Sequence, residues 1–305
     1  MKNLAVLFVL LLGTLLFPRA AVAGDPRAQE IVKQARTAIG GEENLQNIQS
    51  LVIKGQYRRI LGEREMAGER EVSILLPDKY LVEDSFSQGG LSTAMLNSRG
   101  LNGEKTWNSS SGGAGQGMII RMGGPGGQQA TPEQMDAIFR KQYRVEFARY
   151  LLAVLLMPPQ SLALEYAYAG ESDVEDTHAE AIDVNGPDNF VVRLFFDKQT
   201  HMPLLLSYRG RKPRIMTSIA RSTDAKSEDA VNKAKDAAEK KLAAETPARP
   251  EEVDFYIRLT DYKKVSGLLL PHKLTFLTET EVSEEFEVSK YQLNPQFKSD
   301  KFQKH

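Results

Sequence analysis

The spacing of apolar residues along the chain predicts two helices separated by runs of short strands. Asp25-Pro26 suits the cap and first position of a helix, and apolar residues then recur at helical spacing from Ile31 to Ile39. Gly40-Gly41 ends this helix. A second helix begins at Thr131-Pro132 and ends before Pro158-Pro159. Its apolar face comprises Met135, Ile138, Phe139, Tyr143, Phe147, Tyr150, Leu151, Val154 and Leu155.

The last turns of the second helix, from Tyr150 to Met157, are apolar on nearly all sides. A helix of this kind must be covered on more than one side. These turns therefore form either part of an ordinary core or a lid over an apolar cavity.

Short apolar segments about ten residues apart, with few helices between them, predict an antiparallel sheet. Turn sequences such as Asn102-Gly103 and Asn185-Gly186 separate them. Residues 190–197 carry bulky apolar side chains on both faces, which differs from the clean alternation of a half-buried strand. The predicted strands are 51–60, 68–76, 80–82, 91–96, 105–107, 162–168, 178–184, 190–197, 203–208, 253–262, 269–278 and 282–291.

Two segments interrupt this pattern. Residues 109–130 are rich in glycine, and no Gly-Lys-Ser/Thr sequence follows, so the segment is not a phosphate loop. It is either a mobile linker or a lid over a ligand. Residues 222–250 include a charged, alanine-rich stretch from Asp224 to Glu245. That stretch predicts a solvated helical insertion or an arm that binds a partner.

The first 23 residues have the pattern of a secretory signal peptide. Lys2 precedes an apolar run from Leu4 to Phe17, which at about 1.5 Å per residue is shorter than a ~30 Å bilayer core. Ala21-Val22-Ala23 is a cleavage sequence. We expect bacterial Sec-type export with cleavage after Ala23, and a periplasmic or secreted single domain over 24–305 with no transmembrane span. The alternative is an uncleaved N-terminal anchor.

Composition excludes several classes of protein. The chain has 305 residues, of which 41% are hydrophobic and 26% charged, and these values are typical of a globular protein. A net charge of −1 argues against a general nucleic-acid binder. The sequence contains no cysteine, which excludes disulfides, thiolate metal sites and lipidation of an N-terminal cysteine.

No group of residues has the pattern of a catalytic or metal site, and we expect no cofactor. Ser92 lacks the strand-to-helix turn of a nucleophile elbow. Asp173, Asp176 and His178 have the spacing of a loose metal cluster, but a surface turn explains them equally simply. His272 follows a proline at a strand start, where its ring more often caps a hairpin.

Three groups of residues together resemble the outer-membrane lipoprotein-sorting (LolA/LolB-like) superfamily, in its broad branch of exported proteins. The first runs from Ala38 to Gly41 and continues at Gly55-Gln56-Tyr57-Arg58-Arg59. The second is the segment from Tyr262 to Lys273, with Gly267, Pro271 and His272. The third comprises Glu285 to Val288, Asn294-Pro295 and Lys301-Phe302. These motifs encode turns and strand ends, so they indicate a fold more strongly than an activity.

The resemblance implies an α+β, mainly β fold: a strongly curved antiparallel sheet, or incomplete β-barrel, with helices covering its concave side. It also implies an apolar cavity for acyl chains. The leading hypothesis is an exported soluble lipid- or lipoprotein-binding protein that carries acyl chains across the periplasm without catalysis. One alternative is a non-enzymatic envelope sensor or scaffold of the same fold that binds a protein partner. Another is an enzyme of unrecognised type.

Under the leading hypothesis, the cavity is lined by inward strand positions and by the second helix, although the same side chains would also form an ordinary core. Trp107, the only tryptophan, either lines the cavity or fills the core. The predicted lining residues are Tyr57, Trp107, Phe139, Phe147, Leu151, Leu155, Phe195, Phe255 and Phe276.

Overall fold

The computed structural model describes residues 24–62, 64–86, 95–111, 131–160, 162–212 and 251–304. The predicted signal peptide, Ser92, the insertion at 222–250 and most of the glycine-rich segment lie outside these residues. The predictions for those segments stay predictions.

Both helices predicted from the sequence are present, with one short helix between them. Helix α1 is Pro26–Ala38, α2 is Glu42–Gln46 and α3 is Pro132–Leu155. The Asp25 side chain accepts hydrogen bonds from the first turn of α1. Thr131 and Gln134 form a reciprocal capping box at the start of α3.

Each predicted strand overlaps a strand of the structure, and most of these strands extend beyond the predicted bounds. The strand Phe190–Asp197 has the predicted bounds. In chain order the strands are β1 Ser50–Leu61, β2 Arg64–Leu75, β3 Lys79–Phe86, β4 Met95–Asn102, β5 Lys105–Ser111, β6 Glu165–Val174, β7 Thr177–Gly186, β8 Phe190–Asp197, β9 Pro203–Arg211, β10 Glu252–Val265, β11 Leu268–Thr278 and β12 Glu281–Leu293.

All twelve strands join one antiparallel sheet in the order β5-β4-β3-β2-β1-β12-β11-β10-β9-β8-β7-β6. Two meanders, β1 to β5 and β6 to β12, meet where the first strand pairs with the last. The sheet does not close, because β5 and β6 lie at opposite edges. The predicted fold class, a mainly β protein with an open antiparallel sheet, is confirmed.

Contacts of α3 show how strongly the sheet curves. The ring centroid of Tyr150 lies 5.8 Å from that of Tyr80 on β3 and 6.4 Å from that of Phe276 on β11. On a flat sheet these two strands would be about 19 Å apart, because four strand spacings of ~4.8 Å separate them. The sheet therefore wraps around α3, which occupies its concave side.

Glycines on the inner face allow two neighbouring strands to approach closely. A Cβ atom at Gly55 on β1 would lie 2.0 Å from the carbonyl oxygen of Glu287 on β12. A Cβ atom at Gly68 on β2 would lie 1.9 Å from the carbonyl oxygen of Ser85 on β3. Glycine inside a strand is typical of positions where another backbone approaches this closely.

The main core lies between the concave face and the helices. Helix α1 covers the β6 end through Ala28, Ile31, Val32 and Ala35, which are all buried. The same helix is tied to β6 because the Asp25 carboxylate accepts a hydrogen bond from the Tyr168 amide at 2.8 Å. The helices thus cover the concave side, as the resemblance implied.

The convex face near β2 to β5 is covered by the C-terminal segment. Phe302 is buried, and its carbonyl oxygen accepts a hydrogen bond of 3.2 Å from the indole Nε1 of Trp107. Lys301 bridges Glu71 and Glu83, which lie on that same face. The chain therefore packs against both faces of this part of the sheet.

Candidate functional site: the concave face around helix α3

The C-terminal turns of α3 form the apolar part of the site. Every residue from Tyr150 to Leu156 is at most 5% exposed, so this end of the helix is covered on all sides. Leu156 then adopts a left-handed conformation, with φ 52°, and ends the helix before Pro158. The curved sheet and the other helices of the same core together cover this end of α3.

Seven of the predicted lining residues lie on this concave side. Tyr57 on β1 is buried against Phe86, with ring centroids 5.7 Å apart. Phe255 on β10 stacks on Tyr208 on β9 at 5.2 Å. The remaining members are Phe139, Phe147, Leu151 and Leu155 on α3 and Phe276 on β11, which all belong to or pack against the same core.

The other two, Trp107 and Phe195, do not face inward. Asn108 pairs opposite Arg99, an inward residue, so the neighbouring Trp107 faces the convex side, where its ring lies across Gly100. Phe195 alternates with the buried inward residues Leu194 and Phe196. The inward orientation predicted for these two residues is wrong, because strand alternation puts both on the opposite face.

A network of ion pairs joins α3 to the inner face beside the apolar turns. Arg70 on β2 donates two hydrogen bonds to the Asp84 carboxylate on β3, at 2.6 and 2.8 Å. Arg99 on β4 pairs with Glu146 on α3 at 2.6 Å and with Asp84 at 3.5 Å. The Tyr80 hydroxyl donates to Glu146 at 2.9 Å. Glu146 is thus the helix residue that this network holds.

The network keeps its carboxylates ionised. Burial alone would raise the pKa of Glu146, but attraction to Arg99 and hydrogen bonds from Arg99 and Tyr80 outweigh burial, so its pKa lies below its usual value. Burial would also raise the pKa of Asp84. Attraction to Arg70 and hydrogen bonds from Arg70 outweigh burial, so the pKa of Asp84 is lowered. Both groups therefore carry negative charge at neutral pH.

Two buried hydroxyls at this site lack a hydrogen-bond partner among the described residues. They are the hydroxyls of Tyr57 and Tyr150, whose side chains are almost fully buried. Burial raises the pKa of Tyr150 to about 12, so the hydroxyl is a neutral donor. The interior therefore contains unused polar groups as well as apolar surface.

Arg149 lies at the same site without a carboxylate partner in the described part of the chain. Its guanidinium carbon sits 3.4 Å from the ring centroid of Tyr208. Glu146 and Arg149 are three positions apart, yet they contact β4 and β9, which are seven strand spacings apart. Helix α3 therefore bridges both halves of the curved sheet.

The ion-pair network was not predicted from the sequence, although one signal was present. Tyr80, Val82 and Phe86 are inward residues of β3, and Asp84 stands at the inward position between them. Glu146 and Arg149 similarly interrupt an apolar stretch of α3. Charged residues on an apolar face need a partner, and that requirement could have singled out these three positions.

No protein-family model and no curated protein matches this sequence. Among solved structures, one match is a LolA superfamily protein from Nitrosomonas europaea, with 9% identity over 91% of this chain and 97% of that chain and a TM-score of 0.43. The chain is similar to LolA-like proteins. A domain named for outer membrane lipoprotein sorting, from Vibrio parahaemolyticus, matches with 9% identity over 91% of this chain and 96% of that chain and a TM-score of 0.44.

A third similar structure is a DUF1329 family protein from Desulfovibrio piger, with 8% identity over 90% of this chain and 96% of that chain and a TM-score of 0.38. Of the names of these three structures, LolA is the one that also names the superfamily whose motifs this sequence resembles. At these identities the similarity concerns the fold.

Two surface clefts of this chain lie outside the site. One, of about 360 Å³, is lined by α1 together with Thr200 and His201. The other, of about 370 Å³, has polar lining residues that include Lys263, His272 and Glu287. None of the predicted lining residues borders either cleft.

The residues considered for metal or acid–base chemistry make local contacts. His178 contacts the Asp173 carboxylate on an exposed hairpin. His272 Nδ1 lies 3.0 Å from the Leu270 carbonyl oxygen, and its ring packs edge-on against Tyr291. Within the described ranges, no three His, Asp or Glu side chains are grouped so as to hold a metal ion.

Among the residues placed by the structure, no helix combines the length and apolar character needed to cross a membrane.

Proposed function

We propose that this chain is an exported lipid- or lipoprotein-binding protein that takes an acyl chain between α3 and the concave face and carries it across the periplasm without catalysis. The single observation that carries the proposal is the apolar end of α3, which is buried on the concave side of an open sheet. Export rests on the signal-peptide pattern of residues 1–23.

An acyl chain can replace the contacts that α3 makes. Beside the Arg70–Asp84–Arg99 network, the sheet side of the interface is mainly Leu, Ile, Val, Phe and Tyr side chains, which do not distinguish a helix side chain from a methylene chain. Burial of a 12-carbon chain contributes roughly 9 kcal/mol gross at ~0.8 kcal/mol per methylene, before the cost of ordering and of moving α3. The open edges of the sheet leave α3 a route outward.

The first test is native mass spectrometry on residues 24–305, purified without detergent from an exported compartment and followed by solvent extraction. We expect a stoichiometric fatty acid, phospholipid or lipopeptide, or uptake of added fatty acid. A ligand-free mass with no uptake would contradict the proposal and favour the scaffold function, in which the partner is a protein.

A matched pair of variants locates the ligand. Phe276 and Phe195 are both partly buried strand residues, but Phe276 faces α3 and Phe195 faces the convex side. We expect Phe276→Asp to abolish fatty-acid uptake and Phe195→Asp to retain it, with both variants showing native circular dichroism. Equal loss in both, or in neither, would contradict binding at the concave face.

A further inference from the structure

Arg149 differs from the other arginines that face the concave side. Arg70 and Arg99 each have a carboxylate partner at 2.6 Å. In the described part of the chain Arg149 has no such partner, and its Nε is buried without a hydrogen bond. A partly buried guanidinium with no counter-ion and a buried, unpaired Nε is costly, so its retention needs another explanation.

Among the described residues, Arg149 packs on an aromatic side chain and has no carboxylate within salt-bridge distance. The guanidinium lies over the face of Tyr208, and Tyr208 stacks on Phe255 with an interplanar angle of 11°. Stacking uses the flat face of a guanidinium and leaves its in-plane N–H donors available. Those donors match the two oxygens of a carboxylate or phosphate.

The position of Arg149 in α3 suits a ligand with a charged end and an apolar chain. It directly precedes the turns from Tyr150 to Leu156, which are buried and apolar. Burial lowers the pKa of Arg149, as expected for a cation that lacks a counter-ion. Arginine still keeps its charge at neutral pH.

We propose that Arg149 binds the oxyanion, a carboxylate or a phosphate, at the charged end of an acyl ligand whose chain lies along the apolar turns of α3. This inference rests on the proposed function and adds to it the class of ligand, an anionic amphiphile. Tyr208 and Phe255 hold the guanidinium in place and form the wall beside the charged group.

The test compares four ligands by equilibrium dialysis at pH 8: dodecanoate, dodecyl phosphate, 1-dodecanol and inorganic phosphate. The proteins are the wild type, Arg149→Gln, Arg149→Lys and the control Arg144→Gln, which changes an exposed arginine of the same helix. We expect the wild type to bind the two anionic amphiphiles about ten- to a hundredfold more tightly than 1-dodecanol. Arg149→Gln should remove this preference and leave 1-dodecanol affinity unchanged, because the alcohol has no anion for the guanidinium to bind.

Arg149→Lys should restore part of the preference, and Arg144→Gln should behave as the wild type. Equal wild-type affinity for dodecanoate and 1-dodecanol would overturn the anion site while the proposed function stands. Equal weakening of all amphiphiles by Arg149→Gln would show a structural role and would also overturn it. Tight, Arg149-dependent binding of inorganic phosphate alone would point to a free oxyanion instead of a lipid. No binding of any amphiphile would overturn the proposed function and this inference together.

Discussion

Glu146 illustrates at the scale of one residue how α3 is held in the sheet. Its carboxylate accepts hydrogen bonds from Arg99 and Tyr80, on two adjacent strands. Because these contacts favour the charged form, the pKa of Glu146 is lower in the folded protein than in the unfolded chain. Its contribution to stability is therefore present above the unfolded carboxyl pKa of about 4.3 and is lost as the pH falls through the folded value.

The expected result is a free energy of unfolding that is nearly constant from pH 5 to 8 and falls below about pH 4.3. Glu146→Gln removes one of the groups responsible, so it should reduce the slope in the acid range. Asp183→Asn is the control, because Asp183 pairs with Arg193 on the solvent-exposed face. Urea titrations at several pH values measure the slope, and an unchanged slope in Glu146→Gln would contradict this role.

Of the features of the site, the inward or outward orientation of individual side chains was predicted least well from the sequence. Tyr57 and Phe276 were correctly placed inward, since long alternating strands fix their face. Trp107 was expected inward because it is large and apolar, yet the C-terminal segment covers the convex face there. Only tertiary packing creates that second apolar environment, so no local pattern could have revealed it.

The element that links fold and function is α3, and its two halves are held differently. In its first half, Asp136 accepts a hydrogen bond from Thr106 on β5. Arg140 and Arg144 form ion pairs with Glu104 in the turn before β5. These contacts lie at partly or fully exposed positions. Exposed ion pairs contribute little stability each. The last turns, from Tyr150 to Leu155, are buried in the core. Opening should therefore begin at the first half.

Hydrogen exchange measured by mass spectrometry can test this difference. We expect peptides from residues 133–144 to exchange faster than peptides from 147–155, because exposed contacts open at low free-energy cost. Peptides from the central strand β1 provide the slow-exchanging control. Uniform protection along α3 would show that the helix moves only as one unit with the sheet.

Most elements could be predicted because local rules fix them. The Thr131 capping box, Pro132 and Pro158 define α3, and the turn sequences on either side define the bounds of β8. Bulges were not predicted, including the register shift at Lys54 and Gly55 in β1. A bulge depends on the partner strand, and that information is absent from the strand's own sequence.

At the scale of the whole molecule, the order of strands follows the chain within each meander. Hairpins of neighbouring strands are local and therefore predictable. The pairing of β1 with β12 joins the two ends of the chain, and only the resemblance to the LolA-like superfamily implied a single curved sheet. Without this pairing the concave face could not enclose α3.

Photo-crosslinking is the most direct measurement of the central claim that an acyl chain lies between α3 and the concave face. A palmitic acid analogue with a diazirine in mid-chain would be bound to the purified protein, irradiated, and its attachment sites mapped by peptide sequencing. The account predicts crosslinks to residues 150–156 of α3 and to inward residues of β1, β3 and β11, such as Tyr57, Tyr80 and Phe276. Crosslinks confined to the convex face around Phe195 and Val191, or none at all, would contradict it.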